Sequence, residues 1–192
     1  MKPKHLIFDL YGTLIDTNAK KLCVKRGELM SWGEKKWMKI NKKEEEFFDE
    51  YCKKTGVDKE KLTRSFRELE RTTQFFQEIP ELLKELYDKG YTLHILSNCG
   101  VGIQEFVRKH PETFSLFTTK NFSYELKAIK PEKEAFTKTL SNIQAKPEEC
   151  IMIGDSLRDD IQGAEQVGLR TIHFQARKRP VTYLREQINT LQ

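Results

Sequence analysis

From residue 78 to residue 191 the sequence keeps switching between two hydrophobic periods, and this alternation limits the fold more than any other feature. Short apolar runs at residues 91–96, 114–118, 150–153 and 170–174 have the length of buried strands, and the stretches between them space apolar residues as helices do. One further run, Leu6-Ile7-Phe8 within residues 4–10, stands near the start of the chain and leads into Asp9. Helices are expected near residues 80–89, 101–110, 131–142, 157–167 and 181–191. Pro80 and Pro131 would open two of them, Glu132 and Glu134 suit the first turn of the second, and Lys89-Gly90 reads as a stop. Strand and helix repeated in this way build an α/β fold, with a mostly parallel sheet covered by helices on both faces.

Residues 17–77 have a different character. They are dense in lysine and glutamate, and Phe47, Phe48 and Tyr51 share one helical face while Leu62, Phe66 and Leu69 share another. Thr55-Gly56-Val57-Asp58 reads as a helix stop followed by a new N-cap at Asp58. No strand is expected here, so the segment is a helical insertion of about sixty residues after the first strand. Trp32, Trp37 and Phe47 are expected to pack inside it.

The charge balance is modest, +5 from 34 basic and 29 acidic residues, and the two signs are interspersed. That argues against nucleic acid as a partner and suits a small anionic substrate. Arg177-Lys178-Arg179 is expected to be a solvated loop. The cysteines at 23, 52, 99 and 150 form no CxxC pair, and no histidine stands at ligand spacing, so neither zinc nor a disulfide framework is indicated. The opening residues carry too short an apolar run for a signal peptide, no run has membrane-spanning length, and a reducing cytoplasm is the expected compartment. Monomer and homodimer are both compatible with the sequence.

In a parallel sheet the ligand site lies beyond the C-terminal ends of the strands. Asp9 ends the first strand, Ser97-Asn98 the strand at 91–96, and Gly154-Asp155-Ser156 the strand at 150–153, while Lys130 stands just before a proline. Singly, each has an ordinary reading as a turn or cap residue. Together they bring two carboxylates, a hydroxyl and an ammonium to one crevice. Such a set suits Mg²⁺, a hard cation that takes one or two carboxylates together with water and substrate phosphate.

Four segments in order resemble the motifs of the haloacid dehalogenase-like hydrolase superfamily: Asp9-x-x-Gly12-Thr13, Leu96-Ser97-Asn98, Ile129-Lys130-Pro131, and Gly154-Asp155-Ser156-Leu157-x-x-Asp160-Ile161-x-Gly163-Ala164. The resemblance implies a Rossmann-like core from residues 1–16 and 78–192, with residues 17–77 as an all-helical cap. It implies Asp9 as the nucleophile, and Mg²⁺ held by Asp9, Asp155 and the backbone carbonyl of Tyr11. Ser97, with Asn98 beside it, would bind phosphoryl oxygens, and Lys130 would neutralise charge and orient Asp9. Gly12 and Thr13 would form the turn behind the nucleophile, with Asp159 and Asp160 as acidic support. Cys99, next to this set, is expected to be a small buried hydrophobe, and His5, His94, His110 and His173 match no motif position.

One position departs from the pattern. Most phosphatases of the superfamily carry a second aspartate where this chain has Tyr11, and that acid protonates the leaving oxygen. A phenol, with an ordinary pKa near ~10, is a poor substitute at neutral pH. The Tyr version resembles the dehalogenase branch, in which halide departs without a proton. That branch lacks the metal-binding Gly-Asp pair, however, and takes halide on an arginine of the first cap helix. Here Gly154-Asp155 is intact, residues 35–43 offer lysines but no arginine, and Arg26 is the early arginine of the insertion. The sequence therefore favours a Mg²⁺-dependent phosphatase acting on a small phosphorylated metabolite. A 2-haloacid dehalogenase and a catalytically impaired Mg²⁺- and phosphate-binding module are the alternatives, and Asp16 and residues of the cap are the candidates to replace the missing acid.

Overall fold

The computed structural model describes residues 3–16, 44–100 and 102–191. Trp32, Trp37, Cys23, Arg26 and the lysines of residues 35–43 lie outside the described residues. Five parallel strands form the main sheet: β1 (His5–Phe8), β4 (Thr92–Ser97), β5 (Phe117–Phe122), β6 (Cys150–Gly154) and β7 (Arg170–His173), in the order β5-β4-β1-β6-β7. The central strand β1 pairs on both sides, Ile7 lying opposite His94 of β4 and Met152 of β6.

Alternation along each strand sends successive side chains to opposite faces. Leu6, Phe8, Ile151 and Ile153 join one buried cluster, where helices α3 (Ile79–Asp88), α4 (Ile103–Lys109) and α9 (Val181–Thr190) contribute Leu82, Ile103 and Leu184. Ile7, Cys150 and Met152 point the other way, onto Phe136 of helix α7 (Lys133–Ile143) and Ala164 of α8. Helix α8 begins as a π-helical turn, Leu157–Gln162, and closes with the α-helical turn Gly163–Glu165. Both sheet faces are thus covered, as the alternating pattern predicts.

Two short helices, α1 (Glu44–Thr55) and α2 (Lys59–Thr72), have their own cluster of Phe47, Phe48, Tyr51 and Leu62, apart from the two clusters of the sheet. Asp58 Oδ1 accepts from Lys61 N at 2.8 Å, which makes it the cap that the sequence suggests. The expectation of no strand in this region is corrected. Gln74–Phe75 is a two-residue strand, β3, antiparallel to β2 (Ile15–Asp16). A pair this short carries no period of its own, so nothing in the sequence announces it.

Two further expectations shift. The strand placed at residues 114–118 lies at 117–122, because Pro111–Ser115 forms a helix, α5, with proline at its first turn. Pro131 does not open α7. It follows a cis Lys130–Pro131 bond, and α7 starts at Lys133 with Glu132 at its N-cap.

Candidate active site

The three central strands β4, β1 and β6 end side by side, and the polar residues that follow them converge. Asp9 N donates to Ile153 O at 2.9 Å, which continues the ladder one residue past β1 and fixes where the carboxylate stands. The chain then closes a tight turn in which Leu14 N and Ile15 N both donate to Leu10 O. Gly12 has φ +88°, and a Cβ there would overlap the carboxylate of Asp155. Glycine therefore serves both the backbone conformation and the approach of Asp155 to this turn.

Lys130 links the site together. Its Nζ lies 2.7 Å from Asp9 Oδ1 and 2.5 Å from Asp160 Oδ1, and all three side chains are buried. The backbone of Lys130 is held in turn by Asn98, which donates from Nδ2 to Lys130 O at 2.9 Å and accepts from Lys130 N at Oδ1, 2.8 Å. Both ends of that amide are thus engaged on the backbone of one residue, and Asn98 fixes the lysine's position. The second oxygen of Asp160 accepts from Ser156 N at 2.9 Å. A Cβ on Gly154 would overlap the Asp160 side chain, so this approach also requires glycine.

These contacts set the charges. Burial pushes the Asp9 carboxyl up to about 7, against the pull of Lys130, and Asp160 and Asp155 add to the rise. For Lys130, burial opposes the charged form, but the two carboxylates outweigh it and raise the lysine above its ordinary value. Burial also lifts the Cys99 thiol well above its usual range, which fits a packed side chain better than a nucleophile.

One carboxylate oxygen from each of Asp9, Asp155 and Asp160 lies within 4.8 Å of the others, a spacing suited to a hard cation. Asp160 already engages Lys130 and Ser156, so Asp9 and half-buried Asp155 are the better placed ligands. Two hydroxyls complete the set. Ser97 Oγ and Thr13 Oγ1 are buried with no hydrogen-bond partner among the described residues. A buried hydroxyl left so is costly unless a ligand or water meets it. The donor set therefore fits a divalent cation with an anion beside it.

The remaining expected site residues flank this set. Half-buried Tyr11 packs against the apolar cluster that contains Leu6 and Phe8, with a bridge to Ile15. Asp159 stands on the outer side of the π-turn; its backbone N donates to Ser156 Oγ at 3.1 Å, its carboxylate lies 4.0 Å from Arg158 Nε, and it is outside the carboxylate triad. Asp16 is bonded to Arg177. The sequence reading missed His173, whose Nε2 donates to Asp155 O at 2.9 Å. Its place at the end of β7 was the available signal.

The family model for haloacid dehalogenase-like hydrolases matches residues 3–168. Among curated proteins the chain is similar to pyrophosphatase PpaX of Bacillus cereus, at 26% identity, covering 89% of this chain and 82% of that protein. It also resembles the HAD family enzyme bt-2542 of Bacteroides thetaiotaomicron in its magnesium complex. There the TM-score is 0.76 and the identity 23%, over 96% of this chain and 98% of that one. A second structure of bt-2542 holds magnesium and inorganic phosphate, with TM-score 0.73 and 22% identity over 94% of this chain and 98% of that one. The 2-haloacid dehalogenase of Pseudomonas syringae shares the fold, with TM-score 0.63 and 21% identity over 90% of this chain and 86% of that one. A match over residues 3–168, most of the chain, means that this protein belongs to the haloacid dehalogenase-like hydrolases.

Proposed function

We propose that the protein is a Mg²⁺-dependent phosphatase that acts on a small anionic phosphorylated metabolite, with Asp9 as nucleophile. The observation that carries this reading is the carboxylate cluster of Asp9, Asp155 and Asp160, with the unpartnered Ser97 hydroxyl at the end of the strand next to β1. Asp9, Asp155 and the Tyr11 carbonyl would hold Mg²⁺, which when bound supplies positive charge opposite the phosphoryl oxygens. Ser97 donates to one of those oxygens, and Lys130 orients the Asp9 carboxylate and opposes the negative charge that builds on the transferring group. A carboxylate oxygen of Asp9 bonds to phosphorus as the P–O bond to the leaving group breaks, the leaving oxygen keeping the electron pair and taking any proton from solvent; water then adds to the aspartyl phosphate, restoring the carboxylate and releasing phosphate. The pyrophosphatase relative and the neighbour solved with phosphate support the same chemistry. Residues 17–77, with α1 and α2 among them, serve in this reading as the cap that selects the substrate.

Tyr11 is the one observation that favours dehalogenation, since a halide needs no proton. Three carboxylates around one point oppose it, because a metal-free halide reaction leaves Asp155 without a task. The experiment is hydrolysis of p-nitrophenyl phosphate with and without Mg²⁺, on wild type and Asp9→Asn. Turnover is expected only with the metal and only with Asp9. Activity that survives both chelation and the substitution would sink the phosphatase mechanism, and chloride release from a chloropropionate without metal would establish the dehalogenase. Stoichiometric Mg²⁺ binding with no turnover of any phosphate would instead mark a binding module.

A further inference from the structure

Asp155 stands one residue past the last paired position of β6, and the chain leaving β7 holds it there. The register ends with Gly154 opposite His173, and Phe174 N donates to Gly154 O at 2.9 Å. The next carbonyl, Asp155 O, is met by side chains instead. His173 Nε2 donates to it at 2.9 Å and Gln175 Nε2 at 3.4 Å. Ala176 N then donates to Gly12 O at 3.3 Å. Each of the consecutive residues 173–176 thus donates to a carbonyl of Gly12, Gly154 or Asp155.

Strand alternation explains how one short segment does this. Phe174 is fully buried in the cluster that contains Leu6 and Phe8, which anchors the segment to the sheet. His173 and Gln175 are two residues apart and half-buried, so they extend to the side opposite Phe174, where Asp155 lies. A carbonyl oxygen has two lone pairs, and the two side chains supply a donor for each. The other end of Asp155 is confined as well, because its carboxylate approaches Gly12 so closely that a Cβ there would overlap it. With the backbone held from β7 and the carboxylate held over the Gly12 turn, the acid stands ready at its spacing from Asp9.

We infer that His173 and Gln175 are positioning residues for the metal centre, keeping the Asp155 backbone where its carboxylate can meet the cation; this rests on the Mg²⁺ site of the phosphatase reading above. Neither side chain is asked to touch the ion or the reacting atoms, and both act through Asp155. A carboxylate that has to be brought into place on binding loses part of its interaction with the ion to that ordering. Outer partners of this kind are therefore read in metal affinity before they are read in the chemical step.

Calorimetry with Mg²⁺ alone, on wild type, H173F, H173Q and Q175L, tests the inference. Phenylalanine keeps a ring and removes the donor, glutamine returns an N–H near the place of Nε2, and leucine keeps the bulk of Gln175 without its amide. H173F should weaken Mg²⁺ binding about tenfold or more, Q175L about threefold because its bond is longer, and H173Q should recover most of the loss. The Mg²⁺ concentration that gives half-maximal hydrolysis of p-nitrophenyl phosphate should rise by the same factors, with kcat at saturating Mg²⁺ staying within about threefold of wild type. Urea unfolding without metal identifies which variants are folded. Mg²⁺ affinity within about twofold of wild type in folded H173F, or in Q175L should H173F not fold, overturns the inference, as does an H173Q as impaired as H173F. Each of those results leaves the phosphatase reading standing. Wild type that binds no Mg²⁺ overturns both, whereas wild type that binds Mg²⁺ without turnover sinks the phosphatase reading while the affinities still decide the role of His173 and Gln175.

Discussion

Replacing Lys130 by methionine keeps the length of the side chain and removes a charge from a site that excludes water. Lys130 is 3% exposed and meets Asp9 at 2.7 Å and Asp160 at 2.5 Å, so the substitution leaves two buried carboxylates facing each other. Removing one partner of a buried ion pair costs about 3–5 kcal/mol, because the remaining charge is left uncompensated. For a chain of this size each kcal/mol moves the melting temperature by about 2–4 °C, so a fall of about 6–20 °C is expected. The chemistry suffers in the same way. Asp9 already sits at about 7 through burial, and without the lysine's pull it holds its proton at neutral pH. Together with the lost charge opposite the phosphoryl group, this should lower kcat about 10²–10³-fold. Urea unfolding and p-nitrophenyl phosphate hydrolysis measure the two effects. A second substitution isolates the cause: K130M/D160N removes the orphaned Asp160 charge and should be more stable than K130M by at least about 1 kcal/mol. An unfolding free energy for K130M within about 1 kcal/mol of wild type, or no recovery in the double variant, would refute the argument.

Three other outcomes follow from the same structure. Gly154→Ala puts a methyl group against the buried Asp160 side chain, and overpacking of this kind should cost about 1–3 kcal/mol and weaken Mg²⁺ binding measured by calorimetry. Tyr11→Asp supplies the acid that the family pattern carries two residues after the nucleophile, and should raise turnover of alkyl phosphates about 10²-fold or more while changing p-nitrophenyl phosphate, whose leaving group needs no proton, far less; an equal gain on both would show that proton supply is not what Tyr11 limits. His94 is buried and its pKa is pushed down from 6.5 to about 4 by burial and then by the nearby His5. Below pH 6.5 the unfolded chain takes up a proton that the folded chain refuses, so stability should decline on the order of 2 kcal/mol as pH falls toward about 4 and level off beneath it. Urea titrations at several pH values check this slope, and His94→Asn should flatten it.

How much of this was legible in the sequence depended on what each residue answers to. The strand-end positions of Asp9, Ser97 and Asp155 are readable because β1, β4 and β6 are clear apolar runs in the sequence. The strand Phe117–Phe122 was misplaced because it is an edge strand, paired only with β4, and its Thr-Thr-Lys-Asn interior tolerates solvent on the open side. The helix Pro111–Ser115 takes up Phe114, the first residue of the apolar run at 114–118. Asn98 gave no signal for its grip on Lys130, since the contact spans thirty-two residues and uses only backbone atoms of its partner. Gly154 was visible as part of a motif, but its reason, the overlap of any Cβ with Asp160, exists only in three dimensions. The loop Arg177-Lys178-Arg179 is exposed, as its run of charge implies; its ties through Ala176 and Gln175 to the Gly12 turn and to Asp155 exist only in three dimensions.

The central claim is that Asp9 carries the phosphoryl group between two steps. Rapid quenching in acid during turnover of pyrophosphate or p-nitrophenyl phosphate with Mg²⁺, followed by peptide mass spectrometry, tests it most directly. A phosphoryl adduct on the peptide that contains Asp9, absent in Asp9→Asn and absent without Mg²⁺, is the predicted result. Steady turnover with no adduct at Asp9, and with Asp9→Asn still active, would contradict it.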